Sequence, residues 1–105
     1  MTNILHAADE IRIPRTLWLA EGLSLREKAL LAEIGTADPA LGYRATNTQI
    51  GALIGVRRRH AGDCLNDVRR KGFVTMRVNP DQSRVIKTTA KLAKLLKGRA
   101  KRSGR

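Results

Sequence analysis

At 105 residues and 42% hydrophobic content, the chain is long enough for one small domain with a single core. One cysteine excludes an intramolecular disulfide framework, and three aromatic residues are too few for single-strand nucleic-acid binding by base stacking. The formal net charge of +12 indicates a polyanionic partner instead.

The positive charge is concentrated in the second half of the chain. Residues 57–105 hold sixteen basic and three acidic side chains, whereas residues 1–56 hold five basic and six acidic ones. A solvated basic surface that only keeps the protein soluble is the alternative explanation for this excess.

Several classes of protein are not favoured by the sequence. The two histidines and the cysteine have no metal-ligand spacing, and there is no P-loop or dinucleotide fingerprint. We therefore expect no enzymatic activity, no cofactor, no bound metal and no small-molecule ligand. No signal peptide is visible and no apolar stretch is long enough for a bilayer, so we expect no membrane partner and a cytoplasmic, nucleoid-associated protein.

The first elements along the chain are short. Residues 1–10 are expected to form a flexible N-terminus. Alternating apolar and polar residues over 10–13, interrupted by a proline, predict a short edge strand. Residues 15–20 predict a short helix with Leu17 and Trp18 facing inward.

A longer helix follows, and its start is marked in the sequence. Ser24 and Glu27 have the spacing of a capping box, which predicts a helix running to about residue 34. Gly35 is its C-terminal signal, and a loop is expected over residues 35–45. The apolar side chains of this helix that are available for the core are Leu25, Ala29, Leu30 and Ile34.

Residues 46–74 predict a helix, a tight turn, a second helix and the start of a strand. Thr46 and Gln49 form a second capping box, and Gly55 can end the first of these helices in a left-handed conformation. The second helix opens with the basic run Arg57-Arg58-Arg59-His60. Its spacing predicts one buried stripe, made by Ala61, Leu65 and Val68.

A β-hairpin is predicted after this motif. Residues 73–78 and 84–87 have the composition of strands, and the segment between them, 79–83, is dense in turn-forming residues. Basic residues flank this turn, so the hairpin would form a cationic wing.

The chain then predicts a last helix over residues 88–97, capped by Thr88 or Thr89 and ended by Gly98. Residues 98–105 are expected to be a basic, disordered tail. The helix carries an apolar stripe that favours a homodimer through this helix, the alternative being packing on the chain's own core. The residues of the stripe are Leu92, Leu95 and Leu96.

Residues 11–87 resemble a winged helix-turn-helix DNA-binding domain, of the kind found in plasmid and phage replication initiators and in small regulators of mobile elements. The matching segments are Ile13-Pro14, LSLREKALLAEI (23–34), GYRATN (42–47), IGALIGV (50–56) and VRRKGFV (68–74). The resemblance implies a mainly α fold with a small β-wing (α+β) and binding to double-stranded DNA.

Two positions depart from the pattern of these domains. Arg57 stands where they usually have Ser or Thr to cap the second helix. Gly62 is predicted on the outer face of that helix, where the missing side chain either lets DNA approach the backbone or is simply tolerated.

In such a domain the second helix of the motif is the recognition helix, which enters the major groove. Arginine can fork to guanine and asparagine can pair with adenine, whereas the alternative is that the arginines only contact phosphates. The candidates on the recognition helix are Arg57, Arg58, Arg59, His60, Asp63 and Asn66. The candidates for phosphate or wing contacts are Arg44, Thr46, Asn47, Thr48, Arg77, Arg84 and Lys87.

We therefore predict a sequence-specific double-stranded DNA-binding protein, a small transcriptional regulator that represses by occupying an operator. Two alternatives stay open. One is an accessory protein of plasmid or phage replication, transfer or partition that binds origin repeats. The other is an architectural protein that binds DNA without sequence preference.

Overall fold

The structure, a computed structural model, describes residues 10–81 and 83–103. Two helices come first, α1 at Arg15–Trp18 and α2 at Leu25–Ile34. The helix-turn-helix consists of α3 at Asn47–Ile54 and α4 at Arg58–Arg70. Strands β1 (Val74–Val78) and β2 (Arg84–Thr88) form an antiparallel hairpin, and α5 (Ala90–Ser103) follows. This order confirms the predicted winged helix-turn-helix.

The core lies where the helices and the inner face of the hairpin meet. Eight large apolar side chains in it are 0–1% exposed: Leu17, Leu30, Leu31, Ile34, Ile50, Leu65, Ile86 and Leu92. Burial of each such side chain contributes about 1.5–3 kcal/mol, which makes this cluster the main stabilising feature of the domain. The cluster includes residues from α1 to α5, so the helix-turn-helix is held by the rest of the chain.

A buried carboxylate links the start of α2 to the end of α4. Glu27 accepts a hydrogen bond from the backbone N–H of Ser24 at 2.8 Å, and its own N–H donates to Ser24 Oγ at 3.1 Å, which confirms the predicted capping box. Lys71 Nζ lies 2.9 and 3.1 Å from the two carboxylate oxygens and also donates to the carbonyl of Gly22. These bonds orient the recognition helix against α2.

This ion pair predicts a specific loss of stability in acid. Burial alone would raise the pKa of Glu27, but the Ser24 N–H and Lys71 outweigh it and hold that pKa below its ordinary value. The stabilisation is therefore present above about pH 4.3, the ordinary value for glutamate, and is lost as the pH falls through the lowered pKa.

Glu27→Gln should thus cost about 1–2 kcal/mol at pH 7 and cost less as the solution becomes more acidic. Thermal unfolding of both proteins from pH 7 to pH 3 would measure this. Two curves that stay parallel over the whole range would contradict the role given to Glu27.

Three predictions about the first elements are wrong. Residues 10–14 form no strand, and the hairpin strands pair with each other instead. Trp18 is 51% exposed because α1 has a single turn and directs only Leu17 into the core; the Trp18 ring lies 5.3 Å from Lys28 Nζ. Leu25 is 61% exposed, since the buried stripe of α2 runs along its opposite side. That stripe is made by Glu27, Leu30, Leu31 and Ile34.

The last helix differs from the prediction in its end and in its packing. Thr89 caps it, as predicted, but α5 continues past Gly98 to Ser103. A glycine costs a helix only about 1 kcal/mol relative to alanine, and good helix formers follow it. Residues 98–103 of the predicted tail are therefore helical, while residues 1–9, 104 and 105 lie outside the described part. Leu92 is fully buried in the chain's own core.

Candidate nucleic-acid interface

The turn between α3 and α4 depends on two glycines. Gly55 ends α3 with a φ of 77°, the left-handed conformation that the sequence predicted. A Cβ on Gly51 would lie 2.5 Å from the carbonyl oxygen of Val56, so only glycine allows the chain to fold back so closely. The two helices of the motif are packed together as a result.

The recognition helix α4 begins without a side-chain cap. Arg57 is the N-cap residue and makes no side-chain hydrogen bond to the first turn. The inner side of the helix is the predicted stripe of Ala61, Leu65 and Val68, all 0–1% exposed. Cys64 is buried beside them and burial raises the pKa of its thiol, so it is a protonated core residue.

The predicted recognition residues do not share one face of α4. Arg59, Asp63 and Asn66 are exposed and lie opposite the buried stripe, as the helical period requires. Arg58 lies on one flank, where it borders a cleft beside the start of α3. His60 lies on the other flank, in a groove shared with Leu25 and Arg26 on α2. Base reading from one helix face can therefore involve Arg59, Asp63 and Asn66.

One cleft of about 450 Å³ brings together six of the predicted candidates. It lies between the N-terminus of α3, the start of α4 and the wing. The six candidates among its lining residues are Arg44, Thr46, Asn47, Thr48, Arg58 and Arg84. The positive end of the α3 dipole and the arginines make this cleft attractive to an anion. The hydroxyl oxygen of Thr46 already accepts a hydrogen bond from the Gln49 N–H at 3.1 Å. The hydroxyl can still donate its own proton to an anion in the cleft.

The outer face of the wing carries the remaining candidates. Thr75 pairs with Lys87 and Arg77 with Val85, which places the exposed side chains of Arg77 and Lys87 on the same face of the hairpin. They line a second cleft with Arg44, which therefore borders both. The cationic surface runs from α4 past the start of α3 to the wing.

Arg84 lies on the opposite face of the hairpin and is engaged within the protein. Its Nε donates to the carbonyl oxygen of Ala45 at 2.8 Å, and its Nη2 donates to Asn47 Oδ1 at 2.7 Å. Burial lowers the pKa of the guanidinium, although an arginine stays charged in a protein. No local sequence pattern marks this contact, because residues 47 and 84 are far apart along the chain.

Gly62 has a packing role rather than the predicted place on the outer face. A Cβ at this position would lie 2.8 Å from Asn47 Nδ2. The missing side chain therefore leaves room for the side chain of Asn47, the first residue of α3.

Tyr43 is a positioning residue that the sequence did not indicate. It forms a β-bridge with Ile86, in which the two residues exchange hydrogen bonds of 2.7 and 2.9 Å. Burial and the nearby charge of Glu33 raise the pKa of the Tyr43 hydroxyl to about 12. The bridge places Arg44 beside the wing. The only sequence signal for the bridge was a tyrosine after Gly42, in a segment predicted to be a loop.

Within 10–81 and 83–103, no group of three or more His, Cys, Asp or Glu side chains could hold a metal ion. No helix in that part of the chain is long and apolar enough to cross a membrane.

No protein-family model and no curated protein matches the chain. Similar solved structures include a MarR-family transcription regulator, with a TM-score of 0.60 and 24% identity over 98% of this chain. Another is a probable transcriptional regulator from Pseudomonas aeruginosa, with a TM-score of 0.60 and 16% identity over 93% of this chain. The chain spans 63% of the first structure and 72% of the second. At these identities the likeness establishes the winged-helix fold.

Proposed function

We propose that this winged helix-turn-helix chain binds double-stranded DNA sequence-specifically and acts as a small transcriptional regulator, a repressor that occupies its operator. The observation that carries the proposal is the cationic surface that runs from the exposed face of α4, past the N-terminus of α3, to the wing. The similar folds are named as transcription regulators, which supports the same class of function.

Base reading is assigned to the outward face of α4. Arg59 has the donor geometry to fork to guanine O6 and N7, and Asn66 can pair with adenine. Asp63 lies one turn after Arg59, where it can orient the guanidinium or accept from cytosine. These three side chains are exposed and lie on the side of α4 opposite its buried stripe.

Phosphate contacts are assigned to the two clefts. The N–H groups at the start of α3, with Thr46, Thr48 and Arg58, would hold one phosphate group. Arg44, Arg77 and Lys87 would follow the backbone along the wing. His60 would contact the backbone on the other flank of α4, and Arg57 would contact it at the N-terminus of that helix. Contacts of this kind position α4 in the groove without reading sequence.

Lys87→Ala should weaken binding to all duplex sequences similarly. Loss of one phosphate contact should reduce the slope of log K against log salt by about 0.9. Fluorescence anisotropy over a range of salt concentrations would measure this, with Lys87→Arg as the matched control because it keeps the charge. An affinity and a salt slope that both stay unchanged would mean that Lys87 does not contact a phosphate.

The proposal is tested by selecting binding sequences from a random pool of duplexes and mapping binding across the genome. Inverted repeats in promoters would support the regulator. Direct repeats at an origin would favour a replication, transfer or partition accessory, and selection without enrichment would favour an architectural protein. No binding to any duplex at low salt would contradict all three.

Homodimerisation remains part of the proposal, because two recognition helices on adjacent half-sites multiply specificity. Leu92 is buried in the chain's own core, so a dimer through α5 needs other residues. Trp18 ends α1, which packs against α5, and Leu19 follows it; they are 51% and 64% exposed. They are better candidates for contact with a second copy. Light scattering with and without the selected duplex would measure the oligomeric state.

A further inference from the structure

We infer that Arg84 is a positioning residue for DNA recognition: through Asn47 it fixes the outer end of the wing relative to the recognition helix. The inference rests on the proposed function, since a wing position matters only if the wing and α4 engage one duplex. It replaces the expectation that Arg84 itself contacts a phosphate.

The tether is attached at the outer end of the hairpin. Arg84, the first residue of β2, pairs with Val78, the last residue of β1, at the end of the hairpin next to the turn. Its two hydrogen bonds, to Ala45 and Asn47, end at the start of α3. Charge-assisted bonds of 2.7–2.8 Å are strong and directional, so they fix both the distance and the angle between β2 and α3.

The same asparagine also contacts the recognition helix. Asn47 Oδ1 accepts from Arg84, while its Nδ2 occupies the space that a side chain at residue 62 would fill. The side chain of Asn47 therefore lies between β2 and α4. A side chain at residue 62 would displace the Asn47 amide, which accounts for a glycine inside a helix where alanine would be the better helix former.

The tether acts on a hairpin that a backbone bridge also joins to the rest of the chain. Tyr43 and Ile86 form the bridge that joins the hairpin to the residues before α3, two residues closer to the base of the wing than Arg84. Without the Arg84 bonds the outer part of the hairpin could pivot about this bridge. Arg77 would then change its distance from the phosphates that α4 brings into place.

The first experiment measures the tether without DNA, by amide hydrogen exchange. The Asn79 N–H donates to Ser83 across the outer end of the hairpin, and the Ile86 N–H donates to Tyr43 at the bridge. Arg84→Ala and Arg84→Lys should both speed exchange at Asn79 about tenfold and leave Ile86 unchanged, because only the outer end is released. Equal protection of Asn79 in both variants and the wild type would overturn the inference.

The second experiment is a mutant cycle on binding to the selected duplex. Arg84→Ala and Asn47→Ala should each reduce affinity about tenfold, and the double variant should also lose about tenfold rather than a hundredfold, because both remove one tether. Losses that multiply would identify two independent DNA contacts and overturn the inference. Circular dichroism would show whether each variant is folded. If an alanine variant does not fold, Arg84→Lys or Asn47→Ser is used at that position instead.

Gly62→Ala tests the same contact without removing a polar group from the surface. The added methyl group should displace Asn47 and reduce affinity, and it should have no further effect when Asn47 is already alanine. Gly62→Ala with full affinity would overturn the link to α4. A wild-type chain that binds no duplex would instead defeat the proposed function, while the exchange experiment would still decide whether the tether exists.

Discussion

Leu92→Ser is expected to destabilise the domain by about 3–5 kcal/mol and to leave much of it unfolded at 37 °C. Leu92 is fully buried within the core cluster, so the substitution removes three buried carbon atoms and leaves a cavity. The serine hydroxyl would also enter an apolar environment, which adds a further cost unless it finds a hydrogen-bond partner.

Urea unfolding followed by circular dichroism would measure the loss of stability. Lys94→Ser is the matched control: it lies two residues further along α5, is exposed, and should change stability by about 0.5 kcal/mol or less. A Leu92→Ser protein that is folded but monomeric, from a wild type that is dimeric, would contradict this. It would place Leu92 in a dimer interface rather than in the core.

Short-range signals predicted the helix-turn-helix well. The capping boxes at Ser24 and Thr46 act within four residues, and so does the left-handed turn at Gly55. The buried stripe of α4 follows from helical periodicity alone. These features could be predicted because each depends on residues that are close in the sequence.

Contacts between distant residues could not be predicted in the same way. The bonds of Arg84 to Ala45 and Asn47 span 39 and 37 residues, and no local pattern marks them. From the sequence, an arginine in a cationic wing is predicted to contact a phosphate. Its hydrogen-bond partners within the protein become known only from the fold. The packing of Gly62 could not be predicted for the same reason, since its neighbour, Asn47, belongs to another helix.

The burial of apolar residues at the ends of helices could not be predicted either. Trp18 and Leu25 lie at the end of α1 and at the start of α2, where a single residue decides which side faces the core. Hydrophobicity alone does not settle that orientation, because singly exposed apolar residues are common on protein surfaces. The same holds for the candidate site. The cationic residues could be identified from the sequence, but which face of α4 or of the wing each one occupies required the structure.

Arg59→Ala should reduce affinity for the selected duplex by about 1–3 kcal/mol and affinity for random duplex by much less. Arg59 lies on the outward face of α4 with Asp63 and Asn66, the position from which a recognition helix reaches base edges. A lost bidentate contact to a base affects only sequences that carry that base.

Arg58→Ala is the matched comparison, because the two residues are adjacent, exposed and equally charged, yet Arg58 borders the cleft at the start of α3. Arg58→Ala should weaken binding to selected and random duplexes alike and reduce the salt slope by about 0.9, as expected for a phosphate contact.

Repeating the sequence selection with Arg59→Ala should remove the preference at one base pair and keep the others. Equal losses on both duplexes from Arg59→Ala would mean that this arginine, too, contacts only phosphate, and base reading would then have to come from Asp63 and Asn66.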